Sequence, residues 1–318
     1  MTIKGIKNRL CGFRFRPATG GILMLHSIET MNPGNLWENE CLKFSPDSLR
    51  ALVQYARNLG FEFVSIQEIL ARITSGRRSK KCLCITIDDG YRDVYEKGYP
   101  CFKELNVPAC INVSTGIPDG RFIFWWHLLE DVLQSNDSLT LSNGMQFDLS
   151  SQERKNKAFC DIREIILSMK QYSPQDKLRE LLPEIELDFD SWTKGKGLTW
   201  EMINEMNADP LITIANHTAN HLALFACTAE EVSKELADSQ KAFVENIKEK
   251  PKYFAYPYGS VAKDNVDIIT SYGMECIMTT AYDVIDRKTN VFALPRCVVH
   301  EKNWKYVINF INSKCRHF

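Results

Sequence analysis

The chain has 318 residues, of which 44% are hydrophobic and 25% charged, so its composition is that of a globular protein. Its formal net charge of −1 gives no electrostatic reason to expect nucleic acid or an anionic membrane as a partner. No apolar run approaches the ~20 residues that a membrane-spanning helix needs, and no signal-peptide pattern is recognised. The eleven cysteines are scattered without a Cys-x-x-Cys pair, which fits free thiols in a reducing compartment. We therefore expect a cytoplasmic protein without stable membrane insertion, and no pattern predicts its oligomeric state.

Short apolar segments alternate with helical patterns along most of the chain, which predicts parallel βα units and an α/β fold. The segment 82–87 is apolar at nearly every position, as expected of a strand buried on both faces. The predicted strands lie near 21–27, 61–64, 82–88, 108–114, 211–215, 252–256, 275–280 and 291–295.

Three of the predicted helices carry start signals. Ser45 precedes a proline at the first helical position, and Ser65 precedes a segment with one apolar face. Thr228 has the capping-box spacing to Glu231. These residues predict where three of the helices that alternate with the strands begin.

The stretch from about 120 to 198 interrupts this alternation. It contains helical patterns near 151–170 and 174–183 and scarcely any strand signal. Near its start lies an aromatic cluster, formed by Phe122, Phe124, Trp125 and Trp126. We interpret the chain as a single domain over residues 1–318 with a helical insertion at about 120–198.

Two adjacent carboxylates, Asp88 and Asp89, end the predicted strand at 82–88, and Gly90 follows. Neighbouring carboxylates at the end of a buried strand are costly unless a cation neutralises them. Active sites of α/β sheets and barrels are built at this end of the strands. One carboxylate can bind a metal ion while the other accepts a proton. The pair taken alone is explained equally well by acids at a helix N-terminus.

Two histidines, His217 and His221, follow the predicted strand at 211–215. A spacing of four places both imidazoles on one face of a helical turn, from which they can reach one ion. No glutamate follows His217, so the zincin signature is absent. One aspartate and two histidines make a three-ligand site with an open position for water. Such a site acidifies water beside a free carboxylate, which suits hydrolysis of an amide or ester.

A third segment, Tyr256-Pro257-Tyr258-Gly259, lies at the end of the predicted strand at 252–256. Its turn can present a backbone N–H, such as that of Tyr258, to a developing oxyanion. In isolation the segment is an ordinary β-turn.

With these three segments in this order, the chain resembles the polysaccharide deacetylase (NodB-homology) family, carbohydrate esterase family 4. Two family motifs are complete here, Thr-x-Asp-Asp-Gly at 86–90 and His-Thr-x-x-His at 217–221. The resemblance covers about 20–118 and 198–300. It implies a distorted (β/α) barrel that removes N-acetyl groups from amino sugars, or acetyl esters in some cases. It also implies one divalent metal ion; zinc suits the ligands, and cobalt or nickel can replace it.

The resemblance implies a role for four of these residues. Asp88 takes the position of the general base, and Asp89, His217 and His221 take those of the metal ligands. The implied substrate is an N-acetylated sugar in a glycan, or in a lipid- or nucleotide-linked precursor of a surface polysaccharide. Two other functions stay open: hydrolysis of a different amide or ester at the same metal centre, and glycan binding by a barrel without catalysis.

The third family motif, Arg-x-Pro-Tyr, is incomplete. Pro257 and Tyr258 match it, but Ala255 stands at the arginine position. This departure removes the usual partner of the catalytic aspartate. We expect Arg296, which follows the last predicted strand, to supply a guanidinium to Asp88 from elsewhere in the chain.

The general acid has two candidates. His26 ends an apolar strand near the N-terminus, an order that resembles the circularly permuted members acting on poly-N-acetylglucosamine. His300 stands where the usual order of the family places the acid. We favour His26, because an apolar strand leads directly to it. Trp125 and Trp126 also have two interpretations, a stacking face for a sugar or an anchor for the insertion, and we favour the anchor.

Overall fold

The computed structural model describes residues 18–75, 80–121, 124–169, 174–189, 195–259 and 264–315; Phe122 of the predicted aromatic cluster lies outside them. Within these ranges the strands are β1 (Gly20–Leu25), β2 (Glu62–Phe63), β3 (Cys82–Ile87), β4 (Ala109–Val113), β5 (Ser138–Thr140), β6 (Gln146–Asp148), β7 (Ile212–Asn216), β8 (Tyr253–Ala255), β9 (Cys276–Met278) and β10 (Cys297–Val298).

The helices within the same ranges are α1 (Trp37–Glu40), α2 (Pro46–Asn58), α3 (Ile66–Ser75), α4 (Tyr99–Leu105), α5 (Trp125–Ser135), α6 (Gln152–Ser168), α7 (Pro174–Leu181), α8 (Trp200–Asn207), α9 (Ala229–Ile247), α10 (Asn265–Ser271) and α11 (Trp304–Lys314). A π-helical turn (Val94–Gly98) precedes α4, and 3₁₀ turns occur at Leu224–Ala226, Pro257–Gly259 and Val291–Ala293. Among the helices described here, none has the length and apolar character needed to cross a membrane.

The main sheet is parallel, with strand order β10-β1-β3-β4-β7-β8-β9, and β2 also pairs with β3. A segment near the C-terminus joins its two ends. The Leu294 N–H donates to the Ile277 carbonyl of β9 at 2.8 Å, and the Val299 N–H donates to the Met24 carbonyl of β1 at 2.9 Å. The sheet therefore curls into a distorted (β/α) barrel, as the sequence predicts, with its first and last strands side by side.

The three predicted helix starts are confirmed. The Ser45 hydroxyl accepts a hydrogen bond from the Ser48 N–H at the start of α2. The Ser65 hydroxyl accepts one from the Glu68 N–H at the start of α3. Thr228 forms a complete capping box at the start of α9. Each side chain satisfies a backbone N–H that has no partner within its helix.

The predicted strand at 291–295 is wrong. Residues 291–293 form a 3₁₀ turn, which the Asn290 side chain caps by accepting a hydrogen bond from the Phe292 N–H. Pro295 has no N–H for a strand ladder, and only Leu294 makes an isolated bridge to β9. Strand pairing resumes at Cys297, where β10 begins.

The insertion is less purely helical than the sequence indicates. Besides α5, α6 and α7 it contains an antiparallel hairpin of β5 and β6, in which Leu139 pairs with Phe147. The missed signal is Asn143-Gly144, a dipeptide typical of tight hairpin turns, with Gly144 at φ 84°. Apolar side chains of the insertion share one buried cluster with those of the barrel strands, such as Leu129, Phe159 and Ile162 with Ile85 and Ile111.

Candidate active site

The residues that the sequence singles out meet at the carboxyl ends of the barrel strands. One cavity of about 300 Å³ is lined by His26 after β1, by Asp88 and Asp89 after β3, by His217 and His221 after β7, and by Tyr258 after β8. Pro257 is buried beside Tyr258, and Arg296 is buried behind Asp88. Parallel strands bring these distant sequence positions together because their carboxyl ends share one edge of the barrel.

Asp89, His217 and His221 form the one group of potential metal ligands found among the described residues, and all three are buried. Asp89 Oδ1 lies 3.5 Å from His217 Nε2 and 3.1 Å from His221 Nε2. Two ligands at zinc-bonding distance in a tetrahedral site lie about 3.3 Å apart, so these spacings fit one small divalent ion. Burial alone would raise the pKa of Asp89, but hydrogen bonds from the two imidazoles lower it well below its usual range.

Asp88 lies in a separate hydrogen-bond arrangement. The fully buried Arg296 donates through two nitrogens, Nη1 to Oδ1 and Nη2 to Oδ2, each at 2.7 Å. Asn112 on β4 donates to Oδ1 at 2.6 Å. Burial alone would raise the pKa of Asp88, but the Arg296 and His217 charges oppose it and the pKa is lowered to about 2. Asp88 is thus an ionised carboxylate at neutral pH, and the structure places Arg296 where the sequence expects the missing guanidinium.

The two histidines are not on a helical turn, so that prediction is wrong. Residues 217–221 form a loop after β7 in which Thr218 has φ 69° and His221 has φ 52°, both outside the helical region. The imidazoles still meet, with ring centroids 4.9 Å apart. A spacing of four residues is compatible with either a helical turn or a loop. Hydrogen bonds from distant residues stabilise the loop.

Neighbouring segments satisfy the backbone of this loop. On the side of β4, the Val113 carbonyl accepts the His217 N–H, and the Thr115 and Gly116 N–H groups donate to loop carbonyls. The Ser114 hydroxyl donates to the His217 carbonyl at 2.8 Å. The loop N–H groups of residues 218–221 are bound by side chains. A buried loop needs such pairing, since an unpaired backbone group would be costly.

Ala255 contributes through its backbone. Its carbonyl lies 2.8 Å from His217 Nδ1, which leaves Nε2 directed at Asp89. A backbone carbonyl on the second ring nitrogen fixes the tautomer and orientation of a metal-binding histidine. The position that departs from the family motif therefore still supports the site.

Tyr258 is held in place by the insertion. Trp125 Nε1 donates to its hydroxyl at 3.0 Å, and its ring centroid lies 4.6 Å from that of His221. The backbone turns sharply here, with φ 57° at Tyr258 and 67° at Gly259. A Cβ at position 259 would lie 1.8 Å from the Thr280 hydroxyl oxygen, so the turn requires glycine.

The two candidate acids lie in different places. His26 lines the cavity together with Asp88 and Asp89. His300 does not line it: its ring packs edge-on against Trp37 with centroids 5.5 Å apart, and its Nδ1 accepts the Lys302 N–H. Burial and the Lys302 charge lower the pKa of His300. Position in the cavity therefore favours His26.

The insertion forms one wall of the cavity. Trp125 and Trp126 on α5 and Phe159 and Arg163 on α6 all line it. Both tryptophans are buried, and the Trp126 ring centroid lies 5.5 Å from that of His221. Because Trp125 also binds Tyr258, these side chains connect the insertion to the barrel, in line with the anchor interpretation.

Two polar residues near the site were missed. Asn112 is the polar member of the otherwise apolar strand β4, and Glu235 is an acid on the buried face of α9 between Val232 and Leu236. A polar residue at a position that the local pattern assigns to the core is a signal that could have identified both.

Comparison with known proteins shows which proteins the chain resembles. The sequence profile described as polysaccharide deacetylase matches residues 151–277, a span that contains His217 and His221. Over that span the chain is similar to polysaccharide deacetylases. Polysaccharide deacetylases hydrolyse carbon–nitrogen bonds, and the chain is a deacetylase-like hydrolase of that class.

Three relatives show how far the similarity extends. YxkH of Bacillus subtilis is 22% identical over 282 residues, which cover 88% of this chain and 71% of YxkH. A poly-β-1,6-N-acetyl-D-glucosamine N-deacetylase of Staphylococcus aureus is 19% identical over 264 residues. These cover 83% of this chain and 70% of the S. aureus enzyme. The Streptococcus pyogenes deacetylase PplD, solved in complex with acetate, superimposes with a TM-score of 0.63 at 17% identity over 93% of this chain and 99% of its own. The last likeness shows that the barrel fold is shared.

Proposed function

We propose that this chain is a metal-dependent deacetylase that hydrolyses the N-acetyl group of an amino sugar in a glycan or glycan precursor. The observation that carries the proposal is the Asp89, His217 and His221 group beside the ionised Asp88, all of which line one cavity. The similarity to the S. aureus enzyme favours a poly-N-acetylglucosamine-like substrate. A role in surface polysaccharide biosynthesis follows from that substrate class.

The proposed metal ligands are Asp89, His217 and His221. Two imidazole nitrogens and a carboxylate suit zinc, and also cobalt or nickel. A bound ion of this kind supplies a more acidic water and polarises the acetamide carbonyl.

Asp88 is proposed to accept the proton of the attacking water. Its Oδ1 already accepts from Arg296 and Asn112, whereas Oδ2 accepts only from Arg296 in the hydrogen bonds described here. Oδ2 therefore has an acceptor position left for the water proton. Arg296 keeps the carboxylate charged and fixes its orientation.

His26 and the backbone at Tyr258 are proposed to complete the reaction. His26 lines the cavity with the carboxylates and would donate a proton to the departing amine. Pro257 would fix the turn, and the N–H of Tyr258 would donate to the oxyanion that develops from the acetyl carbonyl oxygen.

A cytoplasmic location stays a prediction. Cysteines 41, 82, 84, 101, 110, 160, 227, 276, 297 and 315 carry free thiols, which supports a reducing compartment. In such a compartment the proposed substrate is a lipid- or nucleotide-linked precursor of that poly-N-acetylglucosamine-like glycan.

The decisive experiment is acetate release from a panel of N-acetylated substrates. It compares β-1,6-linked and β-1,4-linked N-acetylglucosamine oligomers, nucleotide-linked N-acetyl sugars, and a simple acetyl ester, each with added zinc and with a chelator. We expect metal-dependent acetate release from an N-acetyl sugar. Release from the ester alone would indicate a different hydrolase, and stoichiometric glycan binding without release would indicate a non-catalytic barrel.

A further inference from the structure

Helix α9 presents a buried carboxylate to the loop that bears the two histidines. Glu235 is 4% exposed, and its Oε2 accepts the Ala219 N–H at 3.1 Å and the Asn220 N–H at 2.7 Å. Its Oε1 accepts the Asn220 side-chain amide at 2.6 Å. One carboxylate thus binds three donors from the middle of the loop, between His217 and His221.

One helical turn further along α9, Ser239 contacts the start of the same loop. Its hydroxyl accepts a hydrogen bond from Asn216 Nδ2 at 2.8 Å. The Asn216 side-chain oxygen in turn accepts the Thr218 N–H at 2.7 Å. Ser239 therefore orients the side-chain amide of Asn216, whose oxygen binds the Thr218 N–H.

Packing does not explain an acid at position 235. Val232 and Leu236 beside it are buried apolar residues, and a carboxylate at such a position is costly to desolvate. Burial raises the pKa of Glu235, although the loop donors oppose that shift. An apolar side chain would avoid the desolvation, but it would leave the Ala219 and Asn220 N–H groups buried without these acceptors.

The loop needs external restraint because its backbone is strained. Thr218 and His221 both have positive φ, a strained conformation for a non-glycine residue. Such a conformation persists only where surrounding contacts over-determine it. The hydrogen bonds to Glu235 and Ser239 lie on either side of Thr218 and supply part of that restraint.

We propose that Glu235 and Ser239 are positioning residues, which hold His217 and His221 in the geometry where both imidazoles meet Asp89. The inference rests on the metal centre of the proposed function. Neither side chain touches the cavity, so each acts through the backbone of the loop. Their removal lowers metal affinity because the loop relaxes and the two imidazoles no longer converge.

The test measures zinc affinity directly, by calorimetry on the full chain after chelator treatment. Glu235→Gln keeps the size of the side chain but turns an amide N–H₂ towards N–H donors. We expect it to weaken zinc binding by about 10- to 100-fold, the usual effect of disturbing groups that orient metal ligands. Ser239→Ala is expected to weaken binding by a smaller factor. Glu245→Gln is the matched control, since it makes the same change at an exposed position of α9 and should leave the affinity unchanged.

The visible absorption of bound cobalt supplies a second readout, because it reports coordination geometry rather than stability. We expect an altered spectrum for Glu235→Gln and an unaltered one for Glu245→Gln. If Glu235→Gln fails to fold, Ser239→Ala carries the test. Wild-type affinity and spectrum in the folded variants would overturn this inference and leave the proposed function standing. A wild-type chain that binds none of zinc, cobalt and nickel would overturn both.

Discussion

Backbone strain in this protein is concentrated at single residues at or beside the cavity. The non-glycine residues with positive φ that border the cavity or its metal-ligand loop are Asp89 (74°), Thr218 (69°), His221 (52°) and Tyr258 (57°). The other two in the described chain, Asn106 and Lys248, end helices, where this conformation is common. Strain of this kind accumulates at functional sites because the surrounding contacts hold reactive side chains in fixed directions.

The Arg296–Asp88 pair makes a prediction about stability and pH. The pKa of Asp88 is about 2 in the folded chain, below the unfolded value of about 3.9. The pair therefore stabilises the fold above about pH 4, and that contribution is lost as the pH falls towards 2. Arg296→Ala should reduce the free energy of unfolding by about 3–5 kcal/mol at pH 7, because it leaves a buried charge unpaired.

The same substitution should reverse the pH dependence. Without Arg296, burial dominates and the pKa of Asp88 should rise above its unfolded value. Mild acid should then increase the free energy of unfolding of Arg296→Ala, because it protonates the buried carboxylate. Denaturant unfolding at pH 7 and pH 5 measures this difference. The acidic limb of the activity profile should move to higher pH in parallel. Arg296→Lys is the control that keeps a charge without the two-pronged contact, and an unchanged profile in Arg296→Ala would contradict the assignment.

The two candidate acids are separated by a pair of single substitutions. His26→Ala should lower kcat by about 10²- to 10⁴-fold with zinc affinity retained, because it removes the proton donor and none of the ligands. His300→Ala should have nearly wild-type kcat, because His300 packs against Trp37 and does not line the cavity. Steady-state acetate release and zinc calorimetry on both variants check this. The opposite ranking of the two kcat values would assign the acid to His300.

At the scale of elements, α9 combines an ordinary cap with the two proposed positioning residues. Thr228 caps its first turn by accepting the Glu231 N–H, far along the helix from the metal-ligand loop. Thr228→Ala should reduce the free energy of unfolding by about 1 kcal/mol. Zinc affinity should be unchanged, since the contacts of Glu235 and Ser239 remain. Thermal unfolding and calorimetry test the two quantities separately, and a loss of zinc affinity would show that the helix as a whole, rather than two of its side chains, sets the loop.

Sequence patterns predict the elements well where one physical cause dominates. The buried strands β1, β3, β4 and β7 follow from continuous apolar runs, and the starts of α2, α3 and α9 follow from capping side chains. The hairpin of β5 and β6 was missed although Asn143-Gly144 signals it. The prediction of a strand at 291–295 was wrong because the apolar side chains there pack against the core from a turn rather than a strand. Asn290 and Pro295 favour that turn.

For the proposed site, the sequence predicted where the residues lie on the strands better than it predicted their backbone conformation. The motifs place Asp88, Asp89, His217 and His221 at strand ends, and the fold brings them together. Spacing could not decide between a helical turn and a loop for the histidines, because the deciding contact comes from Glu235, 15 residues beyond Asn220. Long-range hydrogen bonds of this type leave no local pattern.

On the scale of the whole molecule, a bound ion should stabilise the barrel, because its three proposed ligands come from two different strand ends. A ligand that binds only the folded state at 100 times its dissociation constant adds about 2.7 kcal/mol. Zinc should therefore raise the melting temperature, and a chelator should reverse the rise. The shift should fade as the pH falls, since protonated imidazoles do not bind metal. His217→Ala is the control; an equal shift in that variant would place the ion elsewhere.

The segment 294–299, which joins β9 to β1, also affects when the site is assembled during synthesis. Asp88 and Arg296 are 208 positions apart, so the carboxylate leaves the ribosome long before its guanidinium. Until the 294–299 segment docks between β9 and β1, Asp88 lacks the Arg296 charge that holds its pKa at about 2. A nascent chain that has formed only its earlier strands therefore lacks the Asp88–Arg296 pair. The proposed base gains its partner only when the 294–299 segment joins the sheet.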